Sequence, residues 1–376
     1  MAVASARCPS HRIAQLINTD GPGGAERVVV DVSTALQASG VETVVFLPKD
    51  GEGWLERQLA GSGVAVEYYN IESPLSPSSA RRLADAFRRH NVAVAHSHEF
   101  AMGVYGAWAS WLAGIPHVVT MHGGRYYAER LRRRVALRAA VSVSAATVAV
   151  SNTCARDMSR GLGIRRSRIR MIPNGVRFTP PQRVTLRQEL RLGSADRLVV
   201  SLGSLYPVKG HGHLIDALAL IAHRHPRLHV AIGGRGELAD SLMQRARAHG
   251  LQERVHLLGL RSDVEAVLAA ADIFALPSLS EAMPLALLEA MFARCPIVAS
   301  DVGDVSIALD HGTAGVLVRP GDAEGLAAAI DGLLSNVAQA HTFGERAARR
   351  AHSEYDLSRM VDRYVDLYQS ALTRYH

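Results

Sequence analysis

IAQLINTDGPGGAERVVVDVSTALQASGVETVVFL, residues 13–47, decides the fold class. Ile13–Ile17 is a short apolar run of strand length. Asn18–Gly24 is polar and glycine-rich, as a turn is. Ala25–Gln37 spaces its apolar residues as a helix does and stops before Gly40. Thr43–Leu47 is a second apolar run. Strand, turn, helix and strand in this order make one βαβ unit. The strands are apolar at successive rather than alternate positions. That is the mark of a parallel sheet covered by helices on both faces.

Working outward, the pattern repeats. Val92–Ala95, Val118–Met121 and Thr147–Val150 are further short apolar runs. It breaks at Val176–Arg183, where Pro180–Pro181 sit among polar residues, and this places a domain boundary there. Then it restarts with Leu198–Leu202, Leu228–Ile232, Val255–Leu257, Ile273–Leu276, Ile297–Ala299 and Gly315–Val318. The expected fold is α/β, with two doubly wound Rossmann-like halves facing across a cleft. Leu357–Leu372 has helical periodicity through Met360, Val361, Tyr364, Val365 and Tyr368.

Composition agrees with a packed enzyme. Of 376 residues, 48% are hydrophobic and 20% charged, which excludes a disordered chain. The net charge of +7 suits anionic partners without choosing among them. Cys8, Cys154 and Cys295 are widely spaced and show no metal-ligand pattern, which fits a reducing cytoplasm. MAVASARCPSHR has no long apolar core and does not read as a signal peptide. No stretch has the length and apolarity of a membrane-spanning helix.

Ligands in doubly wound sheets bind beyond the carboxyl ends of the strands, so the loops there carry the chemistry. Ser278–Ser300, SLSEAMPLALLEAMFARCPIVAS, is the most informative. Pro284 suits the first turn of a helix. Glu289 stands in an apolar run, either accepting hydrogen bonds from a ligand diol or capping a neighbouring loop. Glu281 lies eight positions earlier, about 80° away if one helix spans both. The N–H groups of Ala282, Met283, Pro284's neighbours and Leu285 make a phosphate seat at a helix entrance.

In LGSLYPVKGHGH, residues 202–213, Lys209 is either a point charge for a diphosphate or a solvated lysine. His211 and His213 resemble a metal pair, but at a helix start they read more readily as surface polar residues. GPGGAE, residues 21–26, permits close approach of backbone to ligand, or is simply a tight turn. His96–Ser97–His98 and His122–Gly123–Gly124 follow strands. His96 reads equally as a core residue, whereas His122, beside glycines, reads as functional. The basic stretch Arg125–Arg138 suits acidic lipid headgroups or is a solvated helix, and no nucleic-acid module accompanies it.

Taken together these loops resemble the retaining glycosyltransferases of the GT-B fold, family 4 (group 1). The resemblance spans nearly the whole chain. It rests on GGAE at Gly23–Glu26, VAVSN at Val148–Asn152, IPNGV at Ile172–Val176 and KG at Lys209–Gly210. It rests also on GRGE at Gly234–Glu237, LLG at Leu257–Gly259 and the pair Glu281/Glu289 within PSLSEAMPLALLEAM. It implies an N-terminal acceptor-side domain over residues 1–178 and a nucleotide-sugar-binding domain over 184–355. A C-terminal helix, 356–376, would return to the first domain.

The resemblance also implies roles. Lys209, Glu281 and His122 would be catalytic. Glu289 would hold the donor ribose, and Gly23 and Gly24 would line the diphosphate. Ser204, Gly234, Gly259, Ala282, Met283, Pro284 and Leu285 would complete the donor site. The reaction would be metal-independent hexosyl transfer with retention. It would run from a UDP- or GDP-linked sugar to a glycolipid or polysaccharide, in the cytoplasm at the inner face of the membrane. An epimerase or phosphorylase of the same fold, or a non-catalytic nucleotide-sugar-binding protein, is the alternative. Three departures stand out. Ser204 replaces an arginine common in the family, Ala282–Met283 replaces a glycine-aromatic pair, and Arg177 replaces an aspartate.

Overall fold

The computed structural model describes residues 11–72, 76–123 and 130–375. The chain divides into two compact units, a first that runs to Gly175 and resumes at Leu357, and a second, Val176–Asp356.

The first unit contains β1 (Arg12–Leu16), β2 (Thr43–Pro48), β3 (Ala65–Tyr69), β4 (Val92–His98), β5 (His117–Met121), β6 (Ala146–Ala149) and β7 (Ile169–Met171). They form one parallel sheet in the order β3-β2-β1-β4-β5-β6-β7. The second unit contains β8 (Arg197–Leu202), β9 (Leu228–Gly233), β10 (Val255–Gly259), β11 (Ile273–Leu276), β12 (Ile297–Ser300) and β13 (Val316–Val318). Its parallel sheet has the order β10-β9-β8-β11-β12-β13. Both are the doubly wound, Rossmann-like arrangement read from the apolar runs.

Two-sided burial explains those runs. On β2, Val44 and Phe46 pack with Leu83, Phe87 and Met102. Val45 and Leu47 face the other way, against Val29, Val30 and Leu55. β3 and β7, both edge strands, escaped the sequence reading because Glu67 and Arg170 interrupt their short apolar runs. AVEYY is only partly buried and IRM keeps one buried residue, so neither needs a continuous apolar run.

β4 runs on through His98, so His96–Ser97–His98 is strand rather than the loop after it. Residues two apart share a face of a strand, and both histidines are fully buried. The C-terminal helix Leu357–Tyr375 packs on β4, β5 and the helix Gly24–Ala38. It buries Tyr364 and Tyr368 completely against the first sheet.

In each sheet the order of strands reverses once, between β1 and β4 and between β8 and β11. Loops leaving the carboxyl ends of adjacent strands part at such a point and leave a crevice. These four strands therefore decide where ligands go.

Candidate functional site

In the second unit, the loops leaving β8, β9 and β10 lie side by side. Gly203 N–H donates to Gly233 O at 2.9 Å, Leu205 N–H to Arg235 O at 2.8 Å and Gly234 N–H to Gly259 O at 2.8 Å. A Cβ on Gly234 would stand 1.9 Å from Gly203 O, so only glycine allows this approach. Pro207–Lys209 makes a single 3-10 turn ended by Gly210 at φ +65°. A Cβ on Gly210 would stand 2.1 Å from Pro277 O. The loop after β8 thereby presses on the loop after β11.

That contact brings Lys209 to Glu281. Lys209 Nζ donates to Glu281 Oε1 at 2.7 Å, and Ser278 Oγ donates to the same oxygen at 2.8 Å. The Glu281 side chain is 9% exposed and that of Lys209 26%. A carboxylate so nearly buried needs these partners. The geometry fixes an ammonium group and a carboxylate at the β8/β11 switch point.

The helix after β11 is Leu285–Phe292, and Pro284 is its N-cap rather than a residue of its first turn. Glu281 therefore lies in the loop ahead of the helix, and the shared helical face with Glu289 does not exist. Ala282 is held from the other side, where its O accepts from Asp304 N–H at 3.2 Å. Met283 is buried, and Glu289 is half-buried in the helix's second turn. His211 is not a surface residue. It is 2% exposed, with Nδ1 3.3 Å from Ser201 Oγ. Burial pushes its pKa down to about 4. Among the described residues no group of three side chains is placed to hold a metal.

In the first unit, Gly23 is the N-cap of helix Gly24–Ala38. The Glu26 carboxylate folds back over it, 2.3 Å from where a Gly23 Cβ would stand. A cavity of about 500 Å³ opens at the ends of β1, β2 and β3, with Asn18, Glu26, Lys49, Glu52 and Asn70 in its wall. Asp20, also in the wall, is committed to structure, accepting from Gly53 N–H and Leu55 N–H at 2.6 Å each.

His122, after β5, is joined to His98 by a 2.8 Å bond between its Nε2 and His98 Nδ1. Its backbone N–H donates to Glu99 Oε1 at 3.1 Å. Glu99 was missed in the sequence. It follows β4 directly, in the left-handed conformation at φ +65°. Burial pushes its pKa up to about 7, against the His122 N–H bond and with help from Glu26. The available signal was a lone acid at the carboxyl end of a strand beside the switch point. Gly124 and residues 125–129 of the basic stretch lie outside the described residues.

Known proteins resemble this chain in sequence and fold. The profile "Glycosyl transferases group 1" matches residues 182–350 and the profile "Glycosyltransferase Family 4" matches 22–179. A phosphatidyl-myo-inositol mannosyltransferase of Mycobacterium leprae is 30% identical over 94% of this chain and 95% of its own. The chain belongs to the family 4 (group 1) glycosyltransferases. A D-inositol 3-phosphate glycosyltransferase of Nocardia farcinica is 26% identical over 95% of this chain and 87% of its own. The crystal structure of Anabaena HepE with UDP-glucose superposes at a TM-score of 0.82, with 25% identity, over 95% of this chain and 98% of that one. The activity class is therefore glycosyl transfer on a GT-B fold.

The buried histidines give this glycosyltransferase a defined acid response. Burial holds His117 at about 3 and His122 and His211 at about 4, with His96 and His98 well below the ordinary 6.5. Between about pH 6.5 and 4 the unfolded chain binds these protons and the folded chain does not, so their contribution falls as pH falls. Glu99 opposes them. The folded chain takes its proton at about 7 and the unfolded chain only near 4.5, so its term weakens stability as pH rises through that window. The histidines outnumber it. Urea unfolding should show stability dropping as the pH is lowered from 6.5 towards 4, and a flat profile would contradict the buried, neutral state of these rings.

Proposed function

We propose that this glycosyltransferase moves a hexose-type sugar from a UDP- or GDP-linked donor, with retention and without a metal. The acceptor is a glycolipid or polysaccharide of the cell envelope or an exopolysaccharide. The Lys209–Glu281 pair at the second switch point carries the reading. Glycosyl transfer builds negative charge on the departing diphosphate, and a preorganised ammonium group there stabilises the transition state. Lys209 and the N–H groups around Ala282–Leu285 supply that charge, while Ser204 contributes a neutral hydroxyl.

Glu281 lies by the donor sugar and Glu289 holds the ribose. Met283 and Pro284 shape the seat, and Gly234 and Gly259 line the base side. Gly23 and Gly24 border the diphosphate, and His122 meets the transferred sugar. In the reaction the bond from the anomeric carbon to the phosphate oxygen breaks. The acceptor oxygen attacks from the same face, and its proton passes to the leaving phosphate.

The cavity at the ends of β1–β3 suits a hydroxyl-rich acceptor, since its wall offers carboxylate, amide and ammonium groups. The name of the Mycobacterium relative contains a lipid, phosphatidyl-myo-inositol, which supports an acceptor of the glycolipid class. Helix Leu131–Val143 carries Arg132, Arg133, Arg134 and Arg138 beside exposed Leu131 and Val135, a composition suited to peripheral contact with an acidic membrane at its inner face.

The test is transfer from UDP- and GDP-hexoses to lipid-linked acceptors, with the anomeric configuration of the product read by proton NMR. Retention is expected. An inverted product overturns the mechanism, and donor isomerisation without any acceptor overturns the transferase reading.

A further inference from the structure

A chain of buried hydrogen bonds ends on His122, and its direction can be worked out atom by atom. Gln15 interrupts the apolar strand β1 and is 0% exposed. Its Oε1 lies 2.8 Å from His98 Nε2. Its Nε2 donates to Tyr368 Oη at 3.1 Å. An amide oxygen only accepts, so His98 Nε2 carries the hydrogen. His98 is neutral in this fully buried setting, so its Nδ1 is a bare acceptor. The hydrogen in the 2.8 Å bond from His98 Nδ1 to His122 Nε2 then belongs to His122. His122, also neutral, keeps a lone pair on Nδ1. That atom is buried and has no hydrogen-bond partner among the described residues.

The far side of Gln15 agrees. Tyr368 Oη, accepting from Gln15, donates to His96 Nδ1 at 2.7 Å, and His96 Nε2 donates to Thr120 Oγ1 at 2.7 Å. Between the two ends, Gln15, His98, Tyr368 and His96 each donate once and accept once. Turning the Gln15 amide over would reverse the whole chain. It would leave His122 Nδ1–H a buried donor with no partner among the described residues. An orphaned buried N–H is rarer than an under-used acceptor.

We propose that Gln15, His98 and Tyr368 are positioning residues that lock His122 in the Nε2–H tautomer and present its Nδ1 as a hydrogen-bond acceptor to the sugar. This rests on the reading that His122 meets the transferred sugar. It adds a selection rule. Nδ1 favours a ligand group that donates, so where C6 of the sugar faces it a hexose with its C6 hydroxyl is accepted and a uronic acid, whose C6 carboxylate only accepts, is disfavoured. It also gives the C-terminal helix a part in the chemistry, because Tyr368 reaches His122 through Gln15 and His98.

The experiment is nitrogen-15 NMR of histidine-labelled protein at pH 7.5, for wild type, Gln15→Leu and Tyr368→Phe, with His122→Gln for assignment. Turnover is measured beside it with UDP-glucose, UDP-galactose and GDP-mannose, and with UDP-glucuronic acid. Wild type should show Nδ1 bare and Nε2 protonated on His122. Gln15→Leu should mix the tautomers, lower kcat about tenfold, as loss of one oriented hydrogen bond does, and narrow the preference for hexose over uronate. UDP and GDP affinity should stay within about twofold, since the second unit holds the nucleotide. Tyr368→Phe, a smaller change, should move in the same direction and serves if Gln15→Leu does not fold. A protonated Nδ1 in wild type overturns the proposal. So does a folded variant that keeps wild-type kcat and selectivity. If wild type turns over none of these donors, the proposed donor class fails, while the NMR still decides the tautomer.

Discussion

Lys209→Ala is expected to lower kcat by about 10² to 10³-fold while the protein stays folded. That is the usual cost of removing one preorganised group from a developing anion. The expectation follows from where Lys209 sits. Its ammonium group is fixed at the β8/β11 switch point by Glu281, which is itself held by Ser278. No arginine stands at position 204 to share the task, so the loss should fall fully on turnover. Stability should suffer less. Glu281 would lose its cation but keep the Ser278 hydroxyl, and a nearly buried carboxylate short of one partner costs about 1–3 kcal/mol. Lys209→Arg keeps the charge in a different shape and should recover part of the rate. Steady-state kinetics at saturating donor, beside urea unfolding, separates the two effects. Wild-type turnover in Lys209→Ala would remove the lysine from the mechanism.

The sheets were legible in the sequence because two-sided burial leaves an uninterrupted apolar signature. Residues Val199 and Val200, Phe274 and Ala275, or Val298 and Ala299 are all fully buried neighbours that face opposite ways. Edge strands β3 and β7 lack that signature and were lost. In the second unit the charged residues at strand ends stood out in the sequence, with a solvated lysine as the open alternative for Lys209. Lys209 and Glu281 were both singled out, but their direct bond was not, because it depends on the Gly210–Pro277 contact between loops far apart in sequence. Local pattern also misplaced Pro284 by one position and left His211 on the surface. The polar relay of the first unit was the least legible part. Gln15, His96, Thr120 and Tyr368 meet only after the C-terminal helix packs on the first sheet, and Tyr368 reads in sequence as one more apolar residue of an amphipathic helix.

Glu289→Ala should abolish most of the thermal stabilisation that a UDP or GDP donor gives to wild type. A carboxylate in an apolar helical run either serves the fold or serves a ligand, and the two make different predictions. If it accepts from both ribose hydroxyls, its loss removes two charge-assisted bonds and raises Kd at least about 100-fold. At a nucleotide concentration of about 100 times the wild-type Kd, wild type gains about 2.7 kcal/mol, and a 100-fold weaker variant gains only about 0.4. For a unit of this size that is a shift of roughly 5–10 °C against one or two degrees. The 2′-deoxynucleotide sharpens the comparison. It should stabilise wild type less than the ribonucleotide does, whereas Glu289→Ala should not distinguish the two. If Glu289 instead caps a neighbouring loop, the unliganded variant should melt several degrees lower and still answer to nucleotide as wild type does. That outcome would move the ribose contact elsewhere in the second unit while leaving Lys209 and the switch point untouched.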